Sequence, residues 1–459
     1  MVPCPILMNP TLAITPKMVI LSRRYQVLAT MKKSWFLILF LVCMDMWGQD
    51  FKENAIPLDT DASLDLLIAN AGDKKLVLLG EASHGTHEYY YWRDRISRRL
   101  ISEHQFNFIA VEGDFASLYK LNEYVKNKPG AASSAQEVLE ELERWPVWMW
   151  SNEETVALAE WLRTYNDGLP EADKIGFYGM DVYDEWESKR EVLRLLESQD
   201  EAVQKYIQSQ YDCFHPYKGF SWEYARAVNL GRPDCATTTK NVVDFIRNNR
   251  QQFEQLSDDE YFYLLQNAAV VHNAEAFYRE SVTLQGPESW NSRVFHMHAT
   301  VNDLLTLYGE NAKGIVWAHN THVGDAAYTS MRNTGEKNIG QLSREKWGAE
   351  NVFLVGLTTY KGTVMAGREW GAPMQKMNIP KAIKGSVEAA MNKTGLPTFY
   401  VLFSEEDRKE KNLKVMGHRA VGVVYNPRND RRQFVPSLVS LRYDALLFFA
   451  ETNALKVLK

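Results

Sequence analysis

The sequence predicts an α/β fold, a mainly parallel sheet flanked by helices, with a large helical insertion forming one side of the active-site cleft. Three observations carry that prediction. Short apolar runs of strand length alternate with longer stretches of helical spacing, as in βα units built around a parallel sheet. Between about Asp184 and Tyr308 the strand signal vanishes and helical patterns take over, so this interval reads as an insertion into one core. The composition, 45% hydrophobic and 24% charged over 459 residues, is that of a globular chain with ample material for a core. At roughly 150 residues per domain the length admits two or three domains, but the insertion makes 49–459 a single domain.

The first element is a leader, 1–48. Trp35 to Met44 is an apolar run that follows Lys32 and Lys33 and ends before the small Gly48. A spanning helix needs about 20 apolar residues. A basic start, a short apolar stretch and a small residue near the exit read instead as a secretory signal peptide, with Met31 as its natural start. The competing reading is a buried N-terminal helix. Cleavage after Gly48 removes five cations and one anion and leaves a chain near −10, where the full sequence carries −6. The mature protein is then expected to be secreted or periplasmic, with no stable membrane insertion. It keeps only Cys213 and Cys235, in one loop-rich region, and an exported chain is expected to pair them; two unpaired buried thiols are the alternative.

The next elements are strands and helices in turn. Lys75 to Gly80, Phe106 to Val111, Lys174 to Gly179, Gly314 to Ala318 and Asn351 to Leu357 are short apolar runs that read as buried strands. His87 to His104 has helical spacing, with Tyr89, Trp92, Ile96 and Leu100 on its apolar side. The insertion shows helical patterns over Asn241 to Leu256, Asp258 to Arg279 and Arg293 to Tyr308. Ser404 to Asn412 is a charge run expected in a solvated turn or helix, and Asp444 to Phe449 is a late strand.

Titratable residues gather where these strands end, and in α/β sheets ligands bind beyond the carboxyl ends of strands. The first strand leads into Glu81, His84 and His87, the second into Glu112 and Asp114, the Lys174 strand into Asp181, and the Gly314 strand into His319 and His322. Any one of them read alone is a helix cap. Taken together, Glu81, His84, Glu112, His319 and His322 define one site, with a His held by a carboxylate as general base. Common templates fail. There is no G-x-S-x-G elbow, no H-E-x-x-H pair and no phosphate-binding glycine loop after a strand. The spacing of the His and Glu residues carries no specific metal signature, and no cofactor is implied. The mild acidity of the chain argues against nucleic acid as a partner. Trp145 to Trp150 places three indoles in six positions, which suits a bulky, partly apolar small molecule or, equally, a core wedge.

At these residues the sequence resembles the erythromycin esterase family. The matching stretches are Gly80 to Tyr90, Ile109 to Asp114, Trp145 to Asn152, Trp161 to Asn166, Gly179 to Tyr183, Trp290 to Met297 and Trp317 to Asp325. They continue in order with Asn338 to Leu342, Thr359 to Thr363 and Tyr443 to Leu455. The resemblance implies hydrolysis of a carboxylic ester or macrolide lactone without a serine nucleophile. His84 would deprotonate water, Glu81 and Glu112 would share its site, and His319 and His322 would complete it. Arg93 is expected to reach the rim and stabilise the oxyanion. Trp148, Trp150, Asp181, Arg293 and His296 are expected to bind the substrate. The family pattern has Asp at the position of Val294 and Arg at that of Ser151, departures expected to alter the cleft rather than the chemistry. Two other readings use the same features: a metal-dependent hydrolase with His84, His319, His322 and a Glu as ligands, and a non-catalytic cell-envelope binding protein.

Overall fold

The structure is a computed structural model that describes residues 51–283 and 286–458. The leader expected at 1–48 lies outside the described residues. Residues from Phe51 onward form one unit, and among the described residues no helix is long and apolar enough to cross a membrane.

The strands in chain order are β1 (Ile56–Pro57), β2 (Leu76–Leu79), β3 (Phe108–Asp114), β4 (Gly176–Asp181), β5 (Gly314–Trp317) and β6 (Val352–Ala366). They continue with β7 (Gln375–Ile379), β8 (Thr398–Leu402), β9 (Val415–Arg419), β10 (Phe434–Leu438) and β11 (Ala445–Thr452). The main sheet runs β1-β8-β11-β6-β2-β5-β3-β4, with β7 added to β6, while β9 and β10 form a separate ribbon. From β11 to β4 every neighbour is parallel. The register is level, since Leu76 faces both Gly314 and Val352, and Phe108 faces both Gly314 and Gly176. Parallel strands that start level end toward the same side, β2 and β5 after four residues and β4 and β3 after six and seven, so the loops after them rise on one rim.

Alternation within each strand divides the core between two faces. Leu76, Leu78, Phe108, Ala110 and Met180 point to one face, where helices of the insertion cover them. Val77, Leu79, Ile109, Val111 and Trp317 point to the other, under α1 (His87–His104) and α2 (Glu153–Asn166). Both faces are buried, which is why these strands read as continuous apolar runs. The insertion between β4 and β5 supplies α3 (Glu185–Leu196), α4 (Glu201–Tyr211), α5 (Ser221–Asn229), α6 (Ala236–Asn248), α7 (Asp258–Thr283) and α8 (Glu288–Leu307).

Several elements depart from the sequence pattern for identifiable reasons. β6 runs on past Leu357 because Gly362 to Ala366 pair with β7, and Val364 and Ala366 pack with Met377, Ile379, Val421 and Tyr425 in a small core of their own. β7 is exposed at three of its five positions, so it carries no buried-strand signal. The helix expected from Arg293 begins at Glu288, just after Pro287. The charge run at 404–412 is a solvated turn in which Glu406 pairs with Lys409 and Lys411.

Cys213, in the turn after α4, and Cys235, which immediately precedes α6, are joined by a disulfide with Cα atoms 5.9 Å apart. It closes a loop of 22 residues, and a loop that long stabilises by about 3 kcal/mol on chain-entropy grounds. Cys213→Ala/Cys235→Ala should therefore lower the unfolding free energy in urea by about 3 kcal/mol. A loss under about 0.5 kcal/mol would show that the clip constrains little.

Candidate active site

The rim after the level strands is locked by close backbone approach. A Cβ on Gly85 would lie 1.9 Å from the carbonyl oxygen of Met365, and one on Gly80 would lie 2.1 Å from Asn320 Oδ1. Glycine is required at both positions because the loop after β2 passes directly against β6 and the His319–His322 turn. Hydrogen bonds fix it there: Met365 N and Leu455 N donate to the Gly85 carbonyl, and Asn320 N donates to the Glu81 carbonyl at 2.8 Å.

On this loop Glu81 Oε1 lies 2.9 Å from His84 Nδ1, and Arg93 Nη2 donates to Glu81 Oε2 at 2.8 Å. His84 Nε2 has no hydrogen-bond partner in the protein among the described residues and is not sealed from solvent. Burial works against the His84 cation, but the charges of Glu112 and Glu81 outweigh it and raise the imidazole above its ordinary value. Arg93 is not at the rim. Its guanidinium is completely buried, 4.4 Å from the Tyr90 ring centroid and 4.6 Å from that of Trp317. Two turns into α1, its side chain drops into the helix–sheet interface and holds Glu81 from behind. The expected oxyanion role is therefore corrected to that of a positioning residue.

The second half of the site is built around Arg293 on α8. Its guanidinium spans two strand ends, with Nε and Nη2 on Asp181 at 2.8 and 2.6 Å and Nη2 also on Glu112 Oε1 at 2.8 Å. His322 Nε2 lies 3.2 Å from Arg293 Nη1 and 3.3 Å from Glu112 Oε1, and its ring stacks on Trp290 at 4.6 Å. The other Glu112 oxygen accepts from His319 N at 2.8 Å. Burial alone would push the Glu112 carboxyl up, but His322, His84 and Arg293 hold it well below its usual range. Asp181 is likewise held low against burial by Arg293.

His319 stands between the halves, its ring centroid 4.9 Å from that of His84. Burial and the neighbouring His84 push it well below the ordinary imidazole value, so it is neutral. Thr321 holds His319 Nδ1 from two sides, its N–H donating at 3.3 Å and its Oγ1 lying 2.8 Å away. The other ring nitrogen, Nε2, is buried with no partner at full hydrogen-bond distance, although the Ala82 carbonyl lies close enough to the ring to favour its cation.

Other expected residues fall elsewhere. His87 pairs with Glu154 at 2.5 Å and with none of these groups. Trp148 and Trp150 are 2% and 7% exposed and belong to the core, with Trp150 Nε1 donating to the Glu112 carbonyl. They form the wedge beneath the site, not its open wall. His296 is buried, bonded to Asn273, and pushed down to about 4 by burial. Val294 and Ser151, the departures from the family pattern, are both buried rather than exposed in a cleft.

The structure also adds residues that the sequence reading missed. Arg144 makes a two-pronged ion pair with Asp114, whose carboxyl burial pushes up to about 6 against the pull of Arg144. Trp290 lies three residues before Arg293, on the same helix face, and that spacing was visible in the sequence. Tyr183 and Trp370 close the rim near Arg293 and Trp145. Among the described residues no group of three or more His, Cys, Asp or Glu side chains is arranged to hold a metal ion. The metal reading thus finds no ligand set there.

The erythromycin esterase family model matches residues 101–452. The chain belongs to the erythromycin esterase family. The matched span contains Glu112, Asp181, Arg293, His319 and His322 and begins after the Glu81–His84 loop. Erythromycin esterase type II from Escherichia coli is 23% identical over 72% of this chain and 81% of its own length. Two crystal structures share the fold: a succinoglycan biosynthesis protein, with TM-score 0.69, 20% identity and 89% and 97% of the two chains covered, and a Bacillus cereus protein, with TM-score 0.72, 18% identity and 89% and 98% covered. A mutant of the erythromycin esterase EreC in its open conformation has TM-score 0.63 at 14% identity, covering 86% of this chain and 94% of its own.

The position of Arg93 makes a distinct prediction. Removing one partner of a buried ion pair leaves an uncompensated charge at a cost of about 3–5 kcal/mol. Arg93→Met should therefore lower stability to denaturant by about that amount. Unchanged stability with lost turnover would return Arg93 to the reacting atoms.

Proposed function

We propose that the protein hydrolyses a carboxylic ester or lactone with a water activated by His84. The observation that carries this reading is the open Nε2 of a carboxylate-held His84 beside the unpartnered Nε2 of neutral His319. Water donates its proton to His84 Nε2 as its oxygen attacks the carbonyl carbon, and the carbonyl oxygen becomes an oxyanion. His319 Nε2–H, sealed in the free protein, turns toward that oxyanion as substrate binds, a donor whose hydrogen bond gains strength as charge develops. Collapse breaks the bond to the alkoxy oxygen, and the His84 proton passes to it, releasing a carboxylic acid and an alcohol. Glu81 holds the His84 tautomer and favours its cation in the transition state, with Arg93 behind it. The Arg293 fork keeps Glu112 and Asp181 ionised, and Glu112 adds to the pull on the His84 proton.

The family supports ester hydrolysis as the reaction class; a macrolide lactone is one candidate substrate. Export to the periplasm or the medium belongs to the same reading, since a disulfide such as Cys213–Cys235 persists in an oxidising compartment.

His84→Ala should reduce turnover of hydrolysed esters by at least about 10²-fold, with the unfolding transition unchanged. Mass spectrometry of an ester and macrolide panel measures it, and retained turnover would overturn the mechanism. The pH profile has a definite sign. His84 must be neutral to accept a proton, and its value is raised above 6.5, so kcat/KM should climb with pH through an inflection above 6.5. Glu112→Gln removes an anion that raises His84 and should shift the inflection downward; an upward shift would contradict the assignment.

A further inference from the structure

An aromatic arc crosses the site from the sheet to the insertion. Trp145 lies 4.6 Å from Trp370, Trp370 6.4 Å from Tyr183, and Tyr183 5.2 Å from Phe277. Phe277 is 5.2 Å from Tyr278, and Tyr278 5.1 Å from Trp222; Phe277 and Tyr278 are buried and back the arc rather than line it. Trp370 and Trp222 are 58% and 42% exposed, far more than packing at a core edge requires. The Trp145 indole N–H is spent on the Ala372 carbonyl at 2.9 Å, so that ring offers apolar surface rather than a donor.

Charge accompanies the arc at its centre. Arg144 and Arg293 lie 4.9 and 5.0 Å from the Tyr183 ring, each paired with a carboxylate, Asp114 or Asp181. The Tyr183 hydroxyl has no protein partner among the described residues, yet it is not a buried orphan, so it is open to a ligand.

We propose that this arc binds the alcohol portion of the substrate and that this portion is a saccharide. The inference rests on the ester-hydrolysis reading above. A sugar ring has apolar C–H faces and a belt of hydroxyls. Exposed indoles take the faces, while the Tyr183 phenol and the part-exposed Arg144 guanidinium pair with the hydroxyls. A purely aliphatic macrocycle would strip water from the part-exposed Arg144 guanidinium and the Tyr183 hydroxyl and return no hydrogen bond, a penalty that disfavours it.

The test uses the full chain with acetylated xylohexaose, unmodified xylohexaose, p-nitrophenyl acetate and a sugar-free macrolactone. The expected result is a kcat/KM on acetylated xylohexaose at least about tenfold above that on p-nitrophenyl acetate. Trp370→Ala, or Trp222→Ala should the first fail to fold, should raise KM for the saccharide ester about tenfold more than for the aryl ester. Xylohexaose should also quench tryptophan fluorescence at lower concentration in the unaltered protein than in the variant. Hydrolysis of the aryl ester without preference for, or binding of, the saccharide overturns this inference and leaves ester hydrolysis standing. A preference for the macrolactone overturns it as well. Saccharide binding that depends on Trp370, with no ester hydrolysed, supports the saccharide site and overturns hydrolysis instead.

Discussion

Three carboxylates, Glu81, Glu112 and Asp181, are buried where strands of one sheet end, and buried carboxylates need cations or donors beside them. Arg93 and Arg293 supply those cations from opposite faces of the sheet. Arg93 comes from α1 and fixes Glu81; Arg293 comes from α8 and bridges Glu112 to Asp181. Everything else in the site follows from that balance. Glu81 can orient His84, Glu112 can raise it, and His319 stays neutral between them.

The balance also explains why the insertion is part of the site and not an appendage. Its last helix brings Arg293 and Trp290 together, so the ring that stacks on His322 and the fork that holds Glu112 share one helical face. Helices α3 to α8 also cover one face of the sheet. Anything that loosens that packing loosens Arg293, and with it the charge state of two strand ends.

A second buried pair shows how the same two residue types can leave a histidine open or close it off. His418 Nδ1 lies 2.8 Å from Glu388 Oε1, much as His84 lies against Glu81. Glu388 is also taken up by Thr358 Oγ1 and Arg419 N, and both members of the pair are wholly buried. His418 Nε2 is met by Asn320 at 3.5 Å, and burial, the leading influence, lowers its value. The pair ties β9 to the turn that carries His319. The same two residue types therefore anchor a turn in one place and leave a ring nitrogen open to solvent in another.

The sequence by itself determined the parallel strands, the helical interval and the gathering of Glu81, His84, Glu112, His319 and His322 on one rim. Each of those features is local: an apolar run, a helical period, or a polar residue directly after a strand. The antiparallel strand β7 left a weaker trace, since three of its five residues face solvent; β8 carries an apolar run of its own, Phe399 to Leu402, that the strand reading passed over. Only the tertiary structure decided the rest. Arg93 and Arg293 look alike in sequence, two arginines on helices, yet one is sealed behind Glu81 and the other spans two strand ends. Trp148 and Trp150 became core, while Tyr183, Trp370 and Arg144 became rim. Which side of a residue faces a neighbour depends on helix rotation and on contacts between residues far apart in the chain, and those are fixed only once the layers pack.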